Sequence, residues 1–198
     1  YAFSNQPAIA KWNLARFAEC LIPLIDEDEE QAIKTATKII DNFQNIYEQK
    51  WLNMMKSKLG LVGHNKDDLK LINSLLDWME KNKADYTNTF CNLMDINSHE
   101  VYKNNDFINW KNEWKKRSEL NNSTKEKQTK LMKSNNPTVI PRNHKVEEAL
   151  VEADKGNLDK MKKLLTILKN PYDNQNNIEK YQLPAPSNNE KYQTFCGT

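Results

Sequence analysis

Residues 1–25 read YAFSNQPAIAKWNLARFAECLIPLI, and from 8 to 25 only Lys11, Asn13, Arg16 and Glu19 are polar. At 3.6 residues per turn, Ala10, Leu14, Phe17, Ala18, Leu21, Leu24 and Ile25 share one broad face, while Ile9, Trp12, Cys20 and Ile22 fall among the polar positions opposite. A helix apolar round most of its circumference is expected to be buried, in a domain or in a membrane. Charges at Lys11, Arg16 and Glu19 in so short a run exclude a membrane span. The pattern therefore predicts a buried central helix, with Pro7 in its first turn and Asn5 as its cap. Phe17 belongs to the core on this reading, and Phe17→Asp is expected to prevent stable folding. A helix that needs covering on all sides comes first here, with no initiator Met, so the chain is expected to be a piece of a longer protein.

The acidic run Asp26-Glu27-Asp28-Glu29-Glu30 suits a helix N-terminus, where it complements the macrodipole. A calcium loop is the competing reading, but the liganding positions and glycine of an EF-hand are missing. Ile33, Ala36, Ile40, Phe43, Tyr47 and Met54 then form one stripe, predicting a helix to about Ser57. Gly60-Leu61-Val62-Gly63 ends it as a turn; no Lys-Ser/Thr follows, so it is not a phosphate loop. Asp67 or Asp68 is expected to cap a third helix with Leu69, Ile72, Leu75, Leu76 and Met79 on its face. Asp85 is expected to cap a short fourth helix bearing Tyr86, Phe90, Cys91 and Met94.

Further along, Asp106 opens a fifth helix with Phe107, Trp110 and Trp114 at helical spacing. Ser123 and Glu126 read as a capping box for a sixth, running to about Lys133. Asn135-Asn136-Pro137 stops it, and Pro141 keeps the chain extended. Asn143 is expected to cap a seventh helix, closed by Gly156 in the left-handed conformation. Asn157 caps an eighth with Leu158, Met161, Leu164, Leu165 and Leu168, ended by Asn170-Pro171. From Tyr172 on, Asn and Pro dominate, and Pro184 and Pro186 favour extended chain that gains order only by lying on the body.

Composition narrows the classes. Glycine is scarce and strand-type runs are absent, so the chain reads as all-α. A net charge of +2 makes no case for a nucleic-acid or membrane partner. Between residues 102 and 145 there are eleven Lys/Arg against four Asp/Glu, interleaved with Trp110 and Trp114. That is the one local hint of an RNA surface; the competing reading is a buried Trp stripe under a solvated lysine face. Three cysteines without metal spacing point to a reducing compartment, and Cys20 and Cys91, set among apolar residues, read as core. His64, His99 and His144 have no ligand or catalytic partners at useful spacing, so no self-contained catalytic, cofactor or metal site is expected.

Several stretches together resemble the selenoprotein O family of kinase-like protein adenylyltransferases. They are Tyr1, Phe3 and Asn5-Gln6-Pro7 with Trp12-Asn13-Leu14-Ala15-Arg16, then Asp85-Tyr86-Thr87 with Phe90, Asn136-Pro137, Arg142-Asn143 and Glu147-Glu148-Ala149. Asn170-Pro171-Tyr172-Asp173 and the terminal Cys196-Gly197-Thr198 complete the set, which follows family order from end to end. The middle, from 27 to 83, is matched by helical character alone.

The resemblance implies the helical C-terminal part of a kinase-like fold, about eight helices over residues 1–171, followed by a tail, 172–198, packed on the body. It implies a parent that transfers AMP from ATP to protein hydroxyls with Mg²⁺. None of the family's nucleotide- or metal-binding residues maps onto this sequence. Its partners would be the N-terminal catalytic part of the same protein and, through that part, protein substrates. The expected location is cytoplasmic, or mitochondrial for a eukaryotic parent. The one functional position carried over is Cys196, a redox candidate that stands where animal members hold selenocysteine; Gln193 replaces the nearby cysteine of the Cys-x-x-selenocysteine form. A Cys on a polar tail is accessible and able to react. Two other classes stay open: a stand-alone helical interaction domain, and a weaker RNA-binding one using residues 103–145.

Overall fold

A computed structural model describes residues 5–95 and 99–185, and every regular element among them is helical. The chain forms two compact units that meet in sequence at Met55 and Lys56.

The first unit contains α1 (Gln6–Ile25), α2 (Glu29–Asp41) and most of α3 (Phe43–Lys58). Asp28 caps α2, accepting from the backbone N–H of Glu30 at 2.9 Å and of Gln31 at 3.4 Å. The acidic run is thus helix-capping chemistry, as its place in the sequence suggests. α1 packs on α2, where Ala32 and Ala36 are buried and Lys11 reaches Asp41 at 3.4 Å. Small residues let two helices approach closely. No residue of α1 is buried, however: Phe17 is 60% exposed, Trp12 59% and Leu24 82%. The expectation of a buried central helix is therefore corrected for this chain, and so is that of Phe17 as core. One neighbouring helix covers a strip of a cylinder, and the rest of the α1 apolar surface is left open. Cys20, expected in the core, is exposed for the same reason.

The stripe expected to run unbroken to residue 57 is two helices, interrupted at Asn42. Asp41 and Asn42 compete with the helix through short polar side chains, and Asn42 Oδ1 accepts from Asn45 Nδ2 at 3.3 Å.

In the second unit, Gly60 and Gly63 end α3 with φ of +66° and +71°. A Cβ at Gly60 would lie 2.6 Å from Cγ of Gln128 and 2.8 Å from Cγ of Met132, so the turn fits only glycine. α4 (Asp68–Lys81) lies against α6 (Asn105–Glu119), and an aromatic row runs through their contact. Trp78 and Phe107 ring centres are 4.5 Å apart, Phe107 and Trp110 5.9 Å, Trp110 and Trp114 6.3 Å. Both α6 indoles are buried and hydrogen-bonded, Trp110 Nε1 donating to Leu71 O and Trp114 Nε1 to Leu59 O at 2.9 Å. They belong to the core and offer no face on which a base could stack.

The helix enclosed most completely is the short α5 (Tyr86–Leu93), in which every residue from Asn88 to Leu93 is buried. A 3₁₀ turn (Glu100–Lys103) precedes α6, and α7 (Lys125–Asn135) follows it. α8 (Asn143–Asp154) and α9 (Asp159–Leu168) form the expected hairpin. Gly156, at φ +85°, closes α8: its N–H bonds Ala153 O and the next N–H, of Asn157, bonds Glu152 O, both at 2.9 Å. Within the segment expected to run extended, α10 (Glu179–Gln182) is a single helical turn. Ile178 and Tyr181 sink from it into a cluster with Val139, Ala149, Leu164 and Ile167.

Candidate functional site

Among the described residues the buried polar side chains lie in the second unit, most of them in two groups. The first surrounds the N-terminus of α5. Asp85 caps that helix, its Oδ1 accepting from Asn88 N–H at 2.8 Å. The same carboxylate takes both prongs of Arg142, Nη1 to Oδ2 and Nη2 to Oδ1 at 2.8 Å. Arg142 Nη2 also donates to Gln182 O at 2.9 Å, and Asn88 Nδ2 donates to that carbonyl at 3.0 Å. Burial pushes the Asp85 carboxyl up, but the Arg142 guanidinium and the Asn88 N–H outweigh it and hold the pKa below the usual value. Among the described residues, Arg142 Nε and Asn88 Oδ1 have no partner, which leaves one buried donor and one buried acceptor at the joint.

Beside this joint, Lys58 donates to Asn135 O at 2.9 Å and to Asn136 Oδ1 at 3.4 Å, and its ammonium sits 5.2 Å from the Phe90 ring centre. Asn136 Nδ2 returns bonds to Lys58 O at 2.8 Å and Met132 O at 2.9 Å. Desolvation lowers the Lys58 pKa. Burial, and then the nearby Asp85 charge, push the Cys91 thiol up to about 11, so it stays protonated at neutral pH. Cys91 is core, as expected.

The second group joins α4 to α6. Neither Asp67 nor Asp68 makes the side-chain cap expected of α4. Asp68 instead reaches back to Asn65 N–H at 3.1 Å and pairs with Arg117 at 2.6 Å and Lys56 at 3.4 Å. Asp68 is 2% exposed and Arg117 9%, so both charges are out of water. Arg117 also donates to Asn121 Oδ1 and Val62 O. A cavity of about 310 Å³ lined by Val62, His64, Asn65 and Leu120 opens beside Arg117, yet each guanidinium nitrogen is already bonded inward.

Several caps differ from expectation: Asn5 makes no side-chain cap bond to α1, Leu158 rather than Asn157 occupies the cap position of α9, and α7 and α8 differ by one residue. Thr124, not Ser123, caps α7, accepting from Lys127 N–H at 3.4 Å. Arg142 occupies the cap position of α8 and Asn143 lies inside the helix; the Arg142 side chain is turned to Asp85 and gives α8 no cap bond. His144 sits in that first turn, its pKa lowered by burial and then by Lys145. Cys196, the redox candidate, lies outside the described residues. Sequence reasoning missed Lys58, Arg117 and the role of Arg142, because each works across long sequence separations with no local pattern.

Neither buried carboxylate cluster suits Mg²⁺. Asp68 and Asp85, the most enclosed carboxylates of the two clusters, are each clamped by an arginine and have no free edge for a divalent cation. Among the described residues no three His, Cys, Asp or Glu side chains converge on a metal position, and no helix is long and apolar enough to cross a membrane.

The sequence model of the family described as protein adenylyltransferase SelO matches residues 1–169. A protein nucleotidyltransferase YdiU of Pelagibacter ubique (strain HTCC1062) is 56% identical over 200 residues, covering 100% of this chain and 41% of its own length. Proteins of the same name from Clostridium botulinum (strain Eklund 17B / Type B) and Bacillus cereus (strain AH820) are 45% and 46% identical, with the same coverage. The chain thus spans about 41% of the length of these curated relatives. With that match running through both units, the chain belongs to the SelO family of protein adenylyltransferases.

Proposed function

We propose that this chain is the C-terminal helical part of a protein adenylyltransferase that transfers AMP from ATP to Ser, Thr or Tyr hydroxyls of proteins. The observation that carries the reading is the family match over residues 1–169 in a chain that covers only 41% of its relatives' length. ATP and Mg²⁺ belong to the whole protein, and no described residue is assigned to hold them. This part supplies scaffold, and Cys196 supplies a redox-sensitive end.

On the same reading, α1 is the central helix of a kinase-like lobe, and its apolar surface meets the rest of the polypeptide. Support comes from the exposed Trp12, Phe17 and Leu24, and from an open groove of about 920 Å³ between α1 and α2, lined by Ala15, Ile22, Ile33 and Ile40. Apolar surface of this extent marks an interaction site. The stand-alone interaction domain leaves the same surface for a foreign partner. The two part at the coding sequence ahead of Tyr1. An Asn-x-Asp-Asn-type catalytic motif followed by an Asp-Phe/Tyr-Gly metal motif there is the expected finding; a coding sequence without them overturns the adenylyltransferase reading. The bacterial relatives, and the free thiols of the two described cysteines, Cys20 and Cys91, support an intracellular, cytoplasmic setting.

A further inference from the structure

The resemblance rests partly on Asp85, Arg142 and Pro171, and bonds from Arg142, from Asn88 beside Asp85 and from Thr138 converge on one stretch of chain, residues 171–183. Thr138 Oγ1 donates to Pro171 O at 3.1 Å or Asp173 O at 2.8 Å. Gln175 Nε2 bonds Ile167 O at 2.9 Å and Asn170 O at 2.7 Å. Ile178 and Tyr181, 3% and 8% exposed, are the apolar pegs. At the far end, Gln182 Nε2 donates to Thr138 O at 2.9 Å while Gln182 O accepts from both Arg142 and Asn88. A single helical turn such as α10 has no stability of its own. Its order comes from these fastenings.

We propose that residues 171–183 are a strap, and that the Asp85–Arg142 fork is the latch that fixes its far end on the body. The latch is specific in its chemistry. Two parallel bonds to Asp85 hold the guanidinium plane, and the remaining donor capacity of Nη2 is spent on the strap carbonyl. Lysine has the charge but not the fork. Asp85 is simultaneously tied to the first turn of α5, so the latch is built on the most deeply enclosed helix and does not drift. Arg142 is accordingly a positioning residue, acting on the tail through one backbone carbonyl. The strap is independent of whether Cys196 is redox-active, and its test does not use that property.

Hydrogen exchange on the full chain tests it. Arg142→Gln is expected to raise exchange in peptides spanning 178–185 by about tenfold or more, since a charge-assisted bond to the carbonyl is lost, and to speed tryptic cleavage after Lys180 in parallel. Exchange in α9 should stay near the parent value. No rise in 178–185, or an equal rise across α8 and α9, overturns the latch, the second because Arg142 would then support the hairpin rather than the strap. If Arg142→Gln does not fold, Arg142→Lys carries the test: it keeps the charge opposite Asp85 and should give a smaller rise in the same peptides, about threefold. An unchanged strap in that variant overturns the proposal.

Discussion

Arg117 holds Asp68, 49 positions earlier in the chain, in a two-pronged bond, Nε to Oδ1 at 2.6 Å and Nη2 to Oδ2 at 3.2 Å. The pair ties α6 to α4 at the edge of the aromatic row. Truncating one partner of a buried pair strands the other charge, so Arg117→Met is expected to cost about 3–5 kcal/mol. Asp68→Leu combined with Arg117→Met should cost less than that single change, because the buried carboxylate goes with its arginine and the remaining charge, Lys56, keeps its bond to Gly63 O. Urea unfolding of the three proteins checks the order; a double variant less stable than Arg117→Met contradicts it.

Acid should unfold the chain through the same groups. For Asp68, burial raises the pKa, but the hydrogen bond and charge of Arg117, the Asn65 N–H and Lys56 lower it further. Asp85 is lowered likewise, facing Arg142 of α8, His99 ahead of α6, and Cys91 and Tyr102 nearby. A folded-state pKa below the unfolded value gives stability that is complete above the unfolded carboxylate pKa, about 3.9. It is lost as pH falls through the lower folded values. The urea midpoint should be level from about pH 5 to 7 and drop steeply below about pH 4. A midpoint that rises on acidification contradicts the assignment.

The cysteines should divide by environment. Cys20 is exposed, whereas Cys91 is buried with its thiol pushed up to about 11. An alkylating reagent at neutral pH is expected to modify Cys20 and to reach Cys91 only on unfolding. Peptide mass spectrometry reads both sites, and native labelling of Cys91 at the Cys20 rate would show that α5 is not enclosed.

Phe17 separates the chain from the protein it belongs to. At 60% exposure, Phe17→Asp should change the stability of this chain by about 0.5 kcal/mol or less. If the α1 surface is covered in the whole protein, the same change there should cost about 3 kcal/mol or more. Equal thermal shifts in both would remove the proposed docking of α1.

How far the sequence could be read follows from the range of the forces involved. The α8–α9 hairpin was legible because its signals are local: an apolar period, a left-handed Gly156 and an Asn157 that accepts from Asp159 N–H at 3.0 Å. The α7 cap was legible to within a residue, since Ser123 and Thr124 are chemically equivalent offers and tertiary geometry selects between them, whereas Asn5 at α1 and Asp67 and Asp68 at α4 make no cap bond. The α1 pattern was right about the helix, Gln6–Ile25, and wrong about its burial in this chain, because periodicity reports what a helix could bury and not what covers it. α5 was recognised as a short capped helix, but nothing in eight residues marked it as the most enclosed one. Arg142 and Asp85 lie 57 residues apart and Arg117 and Asp68 49 apart, so neither clamp leaves a trace in spacing.

The central claim is that this chain carries support for a reaction whose nucleotide site lies elsewhere in the same protein. Calorimetric titration with Mg²⁺-ATP, run on this chain and on the full-length polypeptide that contains it, tests that most directly. Saturable binding by the full-length polypeptide and none by this chain at millimolar nucleotide is the expected result. Saturable binding by this chain alone would contradict it.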